Sequence, residues 1–232
     1  MEYLHNGYTL EISAGAFPLS TDSMALAGFV KLPKNARVLD LGSGCGSLGL
    51  LLCADWPSCT VTGIELDESA HNAAVHNINA NNLTHRLESI CGDINYITDL
   101  VSPGSFACCV SNPPYFSSGP QSQTLPLARR EDGCTMDALF RAAAWSLKYG
   151  GDFFVVHRPE RLAELCACGA AYKLEPKRLC LLRHKENGPV SLVLLQCRKG
   201  GKPGLLWEEA ALFTAQGEPT PYHQSIYHTQ GG

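Results

Sequence analysis

The 232-residue chain lacks any uninterrupted apolar run of about 18 residues, the length that a membrane-spanning helix needs. Its first residues, Met1 to Asn6, also lack the basic and then apolar pattern of a secretory signal. Charged residues make up only 17% of the chain and hydrophobic residues 45%, which is typical of a folded globular protein. We therefore expect a cytoplasmic protein with one sizeable core, no membrane partner and no obligate protein partner.

The sequence also lacks a set of four metal ligands at zinc spacing, although it contains 11 cysteines. The nearest pattern, Cys166-Ala167-Cys168, is shorter than a zinc knuckle and has no second pair. The cysteines are odd in number, and several, such as Cys53, Cys108 and Cys197, lie inside apolar runs. These features predict reduced core thiols rather than disulfides, and no metal site.

Charge is scarce, at net -4, and it is unevenly distributed. Residues 1–120 carry four Lys and Arg against eleven Asp and Glu, whereas residues 121–232 carry fourteen against eleven. Basic clusters at Arg129–Arg130, Lys173–Arg183 and Arg198–Lys202 are able either to contact nucleic-acid phosphates or to form an ordinary solvated face. Charge alone leaves both interpretations open.

From Arg37 onward, short apolar segments alternate with helix-like segments, a pattern that predicts parallel strands joined by crossover helices. Strands are expected at residues 38–41, 60–64, 87–91, 106–110, 153–156, 179–182 and 190–196. Helices are expected at residues 47–54, 67–81 and 137–147, and from Pro159. The predicted fold class is α/β, with a doubly wound, Rossmann-like, seven-stranded sheet that is mostly parallel and ends in an antiparallel C-terminal hairpin.

We expect three regions along the chain. Residues 1–36 are too few for a core of their own, so they should be an N-terminal extension packed on the ligand site. Residues 37–216 should form the main domain. Residues 217–232, which contain two prolines and end in glycines, should be a flexible tail. Glycine and proline residues between Ser117 and Leu127 predict a loop on the active-site side.

A glycine-rich loop follows the first predicted strand and leads into a helix. Asp40 precedes Gly42, Gly44 and Gly46, and glycines there allow a tight turn and a close approach of the backbone to a ligand. The segment from Gly44 to Gly49 also satisfies the G-x-G-x-x-G pattern of dinucleotide enzymes. Taken alone, this loop does not separate NAD from S-adenosylmethionine.

Carboxylates at the strand ends favour S-adenosylmethionine over NAD. Asp40 suits a cationic ligand and would repel a pyrophosphate. Glu65 ends the second strand, where it can accept hydrogen bonds from ribose hydroxyls, and Asp93 follows the third, where it can accept one from an adenine amino group. The alternatives are a helix cap for Asp93 and a surface charge for Glu65. The predicted cofactor site also includes Leu66 and Ile94, which follow Glu65 and Asp93, and Asn112.

Asn112, Pro113, Pro114 and Tyr115 follow the fourth strand, at the sheet edge where open α/β folds bind ligands. An exocyclic amino or amide nitrogen is a poor nucleophile because its lone pair is delocalised, so two acceptors must hold its N–H groups. The Asn112 side-chain oxygen and the Pro113 carbonyl oxygen can be these two hydrogen-bond acceptors. The prolines stiffen the backbone, and Tyr115 offers a stacking face. The motif predicts methyl transfer to a planar NH₂, the alternative being a simple Pro-Pro turn.

These motifs, in this order and spacing, resemble the class I S-adenosylmethionine-dependent methyltransferases over roughly residues 20–200. Further segments narrow the resemblance to the bacterial tRNA(Val) adenine-N6 methyltransferase family, and they are Phe17–Ser23, Ala128–Glu131, Val156–Leu162 and Leu174–Leu179. The resemblance implies S-adenosylmethionine as cofactor and tRNA as substrate, methylated on the adenine N6 at position 37 next to the anticodon. It also implies that Thr21 and Asp22 lie by the cofactor and that Asn112 to Tyr115 are catalytic.

Phe17 to Ser20 departs from the family's aromatic-x-aromatic-Gly pattern, which leaves the contacts of that stretch open. Four other functions are alternatives. A protein glutamine N5-methyltransferase would use the same motif but carries an extra N-terminal helical domain, for which 36 residues are too few. An rRNA guanine-N2 methyltransferase is not excluded. A non-enzymatic nucleotide- or RNA-binding module is disfavoured by the intact motifs, and a dehydrogenase by Asp40 and the absence of a second domain.

Overall fold

The computed structural model describes residues 2–11, 19–114 and 135–228. Several features predicted from the sequence lie outside these residues: Phe17, Pro18, Tyr115, the 117–127 loop, the Ala128–Glu131 segment and the last four residues of the tail.

The described part of the chain contains ten strands and seven α-helices. The strands are β1 (Glu2–Tyr3), β2 (Thr9–Leu10), β3 (Arg37–Leu41), β4 (Thr60–Glu65), β5 (Leu87–Cys91), β6 (Phe106–Ser111), β7 (Leu147–His157), β8 (Leu174–Lys185), β9 (Val190–Lys199) and β10 (Leu206–Phe213). The helices are α1 (Thr21–Phe29), α2 (Ser47–Asp55), α3 (Glu68–Ala80), α4 (Ile97–Leu100), α5 (Met136–Ser146), α6 (Leu162–Ala171) and α7 (Pro221–Tyr227).

The main sheet has the strand order β10-β8-β9-β7-β6-β3-β4-β5. Strands β3 to β7 pair with their neighbours in parallel, whereas β9 is antiparallel to both β7 and β8. This arrangement confirms the predicted α/β class and the antiparallel C-terminal hairpin. The chain changes direction across the sheet between β3 and β6, so the carboxyl ends of these two strands flank a crevice of the kind that binds ligands in open α/β sheets.

The main sheet has eight strands rather than the seven predicted. The additional strand, β10, pairs in parallel with β8 at the edge of the sheet. Its first four residues, Leu206 to Glu209, are exposed and include two glutamates. Strands buried on both faces appear as continuous apolar runs, whereas the adjacent Glu208 and Glu209 interrupt the apolar residues of this edge strand.

The region predicted as a flexible tail contains α7 in its described part. Thr220 caps this helix by accepting a hydrogen bond from the His223 N–H, and Pro221 occupies the first turn. Ile226 packs against Gly28 of α1, where a Cβ would lie only 2.7 Å from the Ile226 Cγ2. Proline in this segment therefore begins a helix that is docked on the main domain.

The core lies on both faces of the sheet. Successive residues of a buried strand point to opposite faces, and neighbouring pairs such as Phe153 and Phe154 accordingly enter different apolar clusters. Helices α1, α2 and α7 cover one face, and α5 and α6 cover the other. Among the helices that are described, none is both long enough and apolar enough to cross a membrane.

Candidate active site

The glycine-rich loop turns sharply at the carboxyl end of β3. Gly42, Gly44 and Gly46 have φ values of 75°, 55° and 82°, a region that favours glycine. The Gly42 and Ser43 N–H groups both donate to the Ile64 carbonyl, at 2.9 and 3.0 Å, which ties the loop to β4. A Cβ on Gly42 or Gly44 would meet nothing within 4 Å, so the space over the loop is open to a ligand.

Glu65 lies beside this loop, at the end of β4. Its Oε2 accepts the Gly44 N–H at 2.7 Å and its Oε1 accepts the Asp67 N–H at 2.8 Å. Glu65 is half-buried, so it is not the isolated surface charge that the sequence left as an alternative. The carboxylate shapes the glycine loop directly, and each oxygen retains a lone pair that can accept a hydrogen bond from a ligand.

Asp40 is buried in β3, with 1% of its surface exposed. Burial, followed by the neighbouring Glu65 carboxylate, raises the pKa of Asp40 to about 8. Its Oδ2 is buried and has no hydrogen-bond partner within the part of the chain that is described. A carboxyl group in this position needs a donor or a cation to compensate for its lost hydration.

Asp93 caps the short 3₁₀ helix that follows β5. Its Oδ1 accepts the Asn95 backbone N–H at 2.8 Å and the Asn95 side-chain N–H at 2.9 Å, as in the capping alternative. Ile94 is buried in the core, with 6% of its surface exposed, whereas Leu66 is 50% exposed just beyond β4. Of these two predicted cofactor contacts, only Leu66 presents a large apolar surface to solvent.

Asn112, Pro113 and Pro114 follow β6 directly. Ser111, the last residue of that strand, is buried and donates its hydroxyl to the Leu41 carbonyl of β3 at 2.7 Å. This bond joins the ends of the two strands that flank the crevice, so the motif lies across it from the glycine loop. Pro113 is buried, while Asn112 and Pro114 are half-buried.

Helix α1 and its N-cap supply two site residues that the sequence did not predict, Ser23 and Ser20. The Asn112 Nδ2 donates to the Ser23 Oγ at 3.0 Å and to the Ser20 Oγ at 3.4 Å. Ser20 is also the N-cap of α1, because its Oγ accepts the Ser23 N–H at 3.1 Å. Serine is a common N-cap residue, but only the fold brings this helix start to Asn112.

Thr21 and Asp22, which lie between these serines, are the residues that the family resemblance places by the cofactor. Thr21 pairs with α7, since its Oγ1 lies 2.9 Å from the Tyr227 hydroxyl oxygen. Asp22 is half-buried in the first turn of α1, where its carboxylate suits the positive end of the helix dipole. The predicted pair is thus at the same helix end as the serines that contact Asn112.

Of the three basic clusters, Arg129–Arg130 lies outside the described residues, and the other two do not gather around Asn112. Strand β8 runs parallel to β6 and β7. Its first residues therefore lie at the amino ends of these strands, whereas the motif lies at their carboxyl ends. The crevice is therefore far from Lys173–Arg178 and from Arg198–Lys202. Within the Lys173–Arg183 cluster, only the end at Arg183 lies on the side of the sheet that carries the crevice. Ion pairs engage Arg178, Arg183 and Arg198, with Glu208 at 3.4 Å, Glu209 at 3.2 Å and Asp152 at 2.8 Å, respectively.

His5, Asp55 and His228 form a separate cluster whose potential ligand atoms all lie within 4.8 Å of one another. The His5 Nε2 lies 2.6 Å from the Asp55 Oδ1, and the two imidazole rings stack with centroids 3.4 Å apart and planes 22° from parallel. Nearly parallel stacked rings direct their nitrogen lone pairs side by side rather than toward one point. This geometry suits a hydrogen-bonded link between the two terminal segments and α2.

Comparison with known proteins identifies the family. The methyltransferase small domain matches residues 19–165, which is more than half of the chain. The chain is 32% identical over 183 residues to the tRNA1(Val) (adenine(37)-N6)-methyltransferase of Photobacterium profundum, covering 77% of this chain and 76% of that one. It is also 32% identical over 182 residues to the protein of the same name from Shewanella halifaxensis, covering 78% and 72%.

A solved structure shares the fold. It belongs to a protein described as a predicted O-methyltransferase from Agrobacterium tumefaciens, and it aligns with a TM-score of 0.75 at 19% identity, covering 90% of this chain and 96% of that one. The doubly wound sheet, the glycine loop facing Asn112 across the crevice and these sequence matches agree with one another. The chain belongs to the methyltransferase small domain family.

Proposed function

We propose that this chain is an S-adenosylmethionine-dependent N-methyltransferase that methylates the exocyclic N6 of an adenine in tRNA, at position 37 next to the anticodon. The observation that carries the proposal is the hydrogen bonding of Asn112. Its amide nitrogen is occupied by the hydroxyls of α1, which leaves the amide oxygen as the end that can accept an N–H from the target. The relatives named as tRNA adenine-N6 methyltransferases support the choice of substrate.

The residues around the glycine loop fit S-adenosylmethionine. Gly42 and Gly44 leave open space for a ligand, and the buried Oδ2 of Asp40 can accept a hydrogen bond from a ligand or bind a cation. Glu65 and the exposed Leu66 lie at the next strand end, where they suit a ribose and the face of an adenine, respectively. When bound, this cofactor supplies a methyl group made electrophilic by its sulfonium sulfur.

On the target side, the chain has only to hold a planar amino group. The Asn112 Oδ1 and the Pro113 carbonyl oxygen would each accept one of its N–H groups, which pulls the nitrogen lone pair out of conjugation with the ring. Proline has no N–H and a fixed φ, so Pro113 and Pro114 hold that carbonyl in place. No side chain needs to remove a proton before the nitrogen attacks the methyl group.

A tRNA substrate would place the protein in the cytoplasm, and the test begins with the substrate. The full chain is incubated with methyl-labelled S-adenosylmethionine and, separately, with total tRNA, rRNA and protein, and each product is hydrolysed and identified. We expect N6-methyladenosine from tRNA. Asn112→Ala should lower the labelling by orders of magnitude, whereas Asn72→Ala, which removes an exposed amide on α3, should leave it unchanged. Label found only in rRNA guanine or in glutamine would contradict the proposal.

A further inference from the structure

We propose that Ser23, assisted by Ser20, is a positioning residue that sets the orientation of the Asn112 side-chain amide. The hydroxyls at the beginning of α1 hold the amide nitrogen, and the amide oxygen is thereby directed to the target amino group. The inference rests on the proposed function, because it explains how Asn112 is kept ready for it. It concerns the described residues of this chain alone.

An asparagine side chain needs such control because its two ends are nearly identical in size. A rotation of about 180° about the bond to the amide carbon exchanges the oxygen acceptor for an NH₂ donor with little steric cost. In the wrong orientation, the Asn112 NH₂ would face the NH₂ of the target, and neither group could accept a hydrogen bond. The hydrogen-bond partners of the amide must therefore choose its orientation.

The hydroxyl groups of Ser20 and Ser23 fix the orientation of the Asn112 amide. The Ser20 Oγ accepts the Ser23 N–H and donates its own hydrogen to the Ser23 Oγ, at 3.1 and 3.2 Å. Since a serine hydroxyl has a single hydrogen, Ser20 can act only as an acceptor toward Asn112. Both hydroxyl oxygens lie within hydrogen-bond distance of the Asn112 Nδ2, the Ser23 Oγ at 3.0 Å and the Ser20 Oγ at 3.4 Å.

The network is also held rigidly. Ser23 is buried, with 5% of its surface exposed, so water competes little for its hydroxyl. On the opposite side of α1, the Thr21 Oγ1 contacts the Tyr227 hydroxyl at 2.9 Å, and Gly28 allows Ile226 to pack closely. Helix α7 thus supports the helix that orients Asn112, which ties the C-terminal segment of the chain to the motif.

A double-mutant cycle tests whether Ser23 acts through Asn112. We expect Ser23→Ala to lower kcat by about 10-fold or more, with little change in KM or in the affinity for S-adenosylhomocysteine, because the cofactor side is untouched. In the Asn112→Ala background, where single-turnover assays can follow slow transfer, the same change should have no further effect. Ser146→Ala, which removes a buried hydroxyl bonded to the Ala142 carbonyl in α5, is the matched control and should retain wild-type kcat.

Wild-type kcat in Ser23→Ala would overturn the proposal, and so would an equal loss of kcat in both backgrounds, since Ser23 would then act independently of Asn112. A second measurement needs no activity. The side-chain amide resonances of Asn112 are identified by their loss in Asn112→Ala, and their hydrogen exchange is then measured. We expect exchange to be about 10-fold faster in Ser23→Ala than in the wild type, because a hydrogen-bonded amide is protected.

Equal exchange in the wild type and in Ser23→Ala would overturn the assigned orientation. The two measurements also separate the two proposals. If the chain transfers methyl groups to no RNA or protein, the proposed function fails, while the exchange measurement still decides whether the α1 hydroxyls hold the Asn112 amide.

Discussion

At the scale of single residues, Asp40 has the most unusual environment in the site. Its carboxyl is buried beside the Glu65 carboxylate, and these two causes raise the pKa of Asp40 to about 8. In the ligand-free protein the group is therefore mostly protonated at neutral pH. A cation bound beside it would reverse this preference, because an opposite charge favours the ionised form.

The raised pKa of Asp40 predicts a pH dependence of stability. A group whose pKa is higher in the folded than in the unfolded state stabilises the protein below its unfolded pKa, and that contribution is lost as pH rises through the folded value, here about 8. Asp40→Asn removes the titration. We expect the free energy of unfolding of the wild type, relative to Asp40→Asn, to fall between pH 5 and pH 9 by on the order of a few kcal/mol.

Urea unfolding of both proteins at several pH values, without cofactor, measures this difference. Parallel pH profiles would mean that the Asp40 carboxyl titrates alike in the folded and unfolded states. Titration with S-adenosylmethionine is the companion measurement. The affinity of the wild type should rise toward pH 8, because the cation selects the ionised carboxylate, while that of Asp40→Asn should stay lower and change less with pH.

Gly63, in β4, is a residue at which the sheet and the cofactor loop touch. A Cβ there would lie 2.6 Å from the Ser43 Oγ and 2.8 Å from the Ser43 Cβ. Gly63→Ala should displace the glycine-rich loop. It should weaken S-adenosylmethionine binding by about 10-fold or more, since the cofactor site depends on the position of this loop. Calorimetric titration measures the affinity. Adding Ser43→Gly, which removes both clashing atoms, should restore much of it, and a double variant as weak as Gly63→Ala would exclude this clash as the cause.

At the scale of elements, helix α1 connects three parts of the molecule. Its beginning contacts Asn112, its first residue contacts Tyr227, and its end packs under Ile226. A short helix of nine residues has little stability of its own, so its position depends on these tertiary contacts. Helix α7 is therefore expected to matter for both stability and turnover.

Ile226→Ala tests the contribution of α7. The side chain is 4% exposed, and removing it should lower the free energy of unfolding by about 2–4 kcal/mol through lost burial and a cavity. Val75→Ala, at a 37% exposed position on α3, is the control and should cost less than about 1 kcal/mol. Urea unfolding curves give both values. Equal, small losses would mean that α7 does not pack stably on α1.

At the scale of the whole molecule, two stretches of basic residues, 173–178 and 198–202, lie at the end of the sheet opposite the motif. Lys177 and Lys202 lie at the edge opposite the motif, where the Lys177 Nζ donates to the Lys202 carbonyl at 3.0 Å. Because this edge is remote from the crevice, we expect Lys177→Glu to leave the KM for tRNA within about twofold of the wild-type value. Initial rates at several tRNA concentrations measure it. A large rise in KM would mean that the RNA also contacts the opposite edge.

Much of the fold could be predicted because buried parallel strands appear in the sequence as short apolar runs. Strand β10 and helix α7 were not predicted, since two adjacent glutamates interrupt the apolar residues of the edge strand and Pro221 is typical of a turn. Asp40, Glu65 and Asn112 were predicted because the ends of parallel strands meet at one edge. Ser23 could not be, because its contact with Asn112 spans 89 residues and depends on how α1 docks.

Methylation of the N6 of an adenine beside the anticodon is the activity we propose for this chain, and a defined RNA substrate tests it most directly. A synthetic anticodon stem-loop of tRNA(Val) is incubated with the enzyme and S-adenosylmethionine, and fragment masses locate any added methyl group. We expect one methyl group on the adenine at position 37, none when guanine replaces that adenine, and transfer slower by orders of magnitude with Asn112→Ala. Methylation of the guanine-substituted stem-loop, or full transfer by Asn112→Ala, would contradict it.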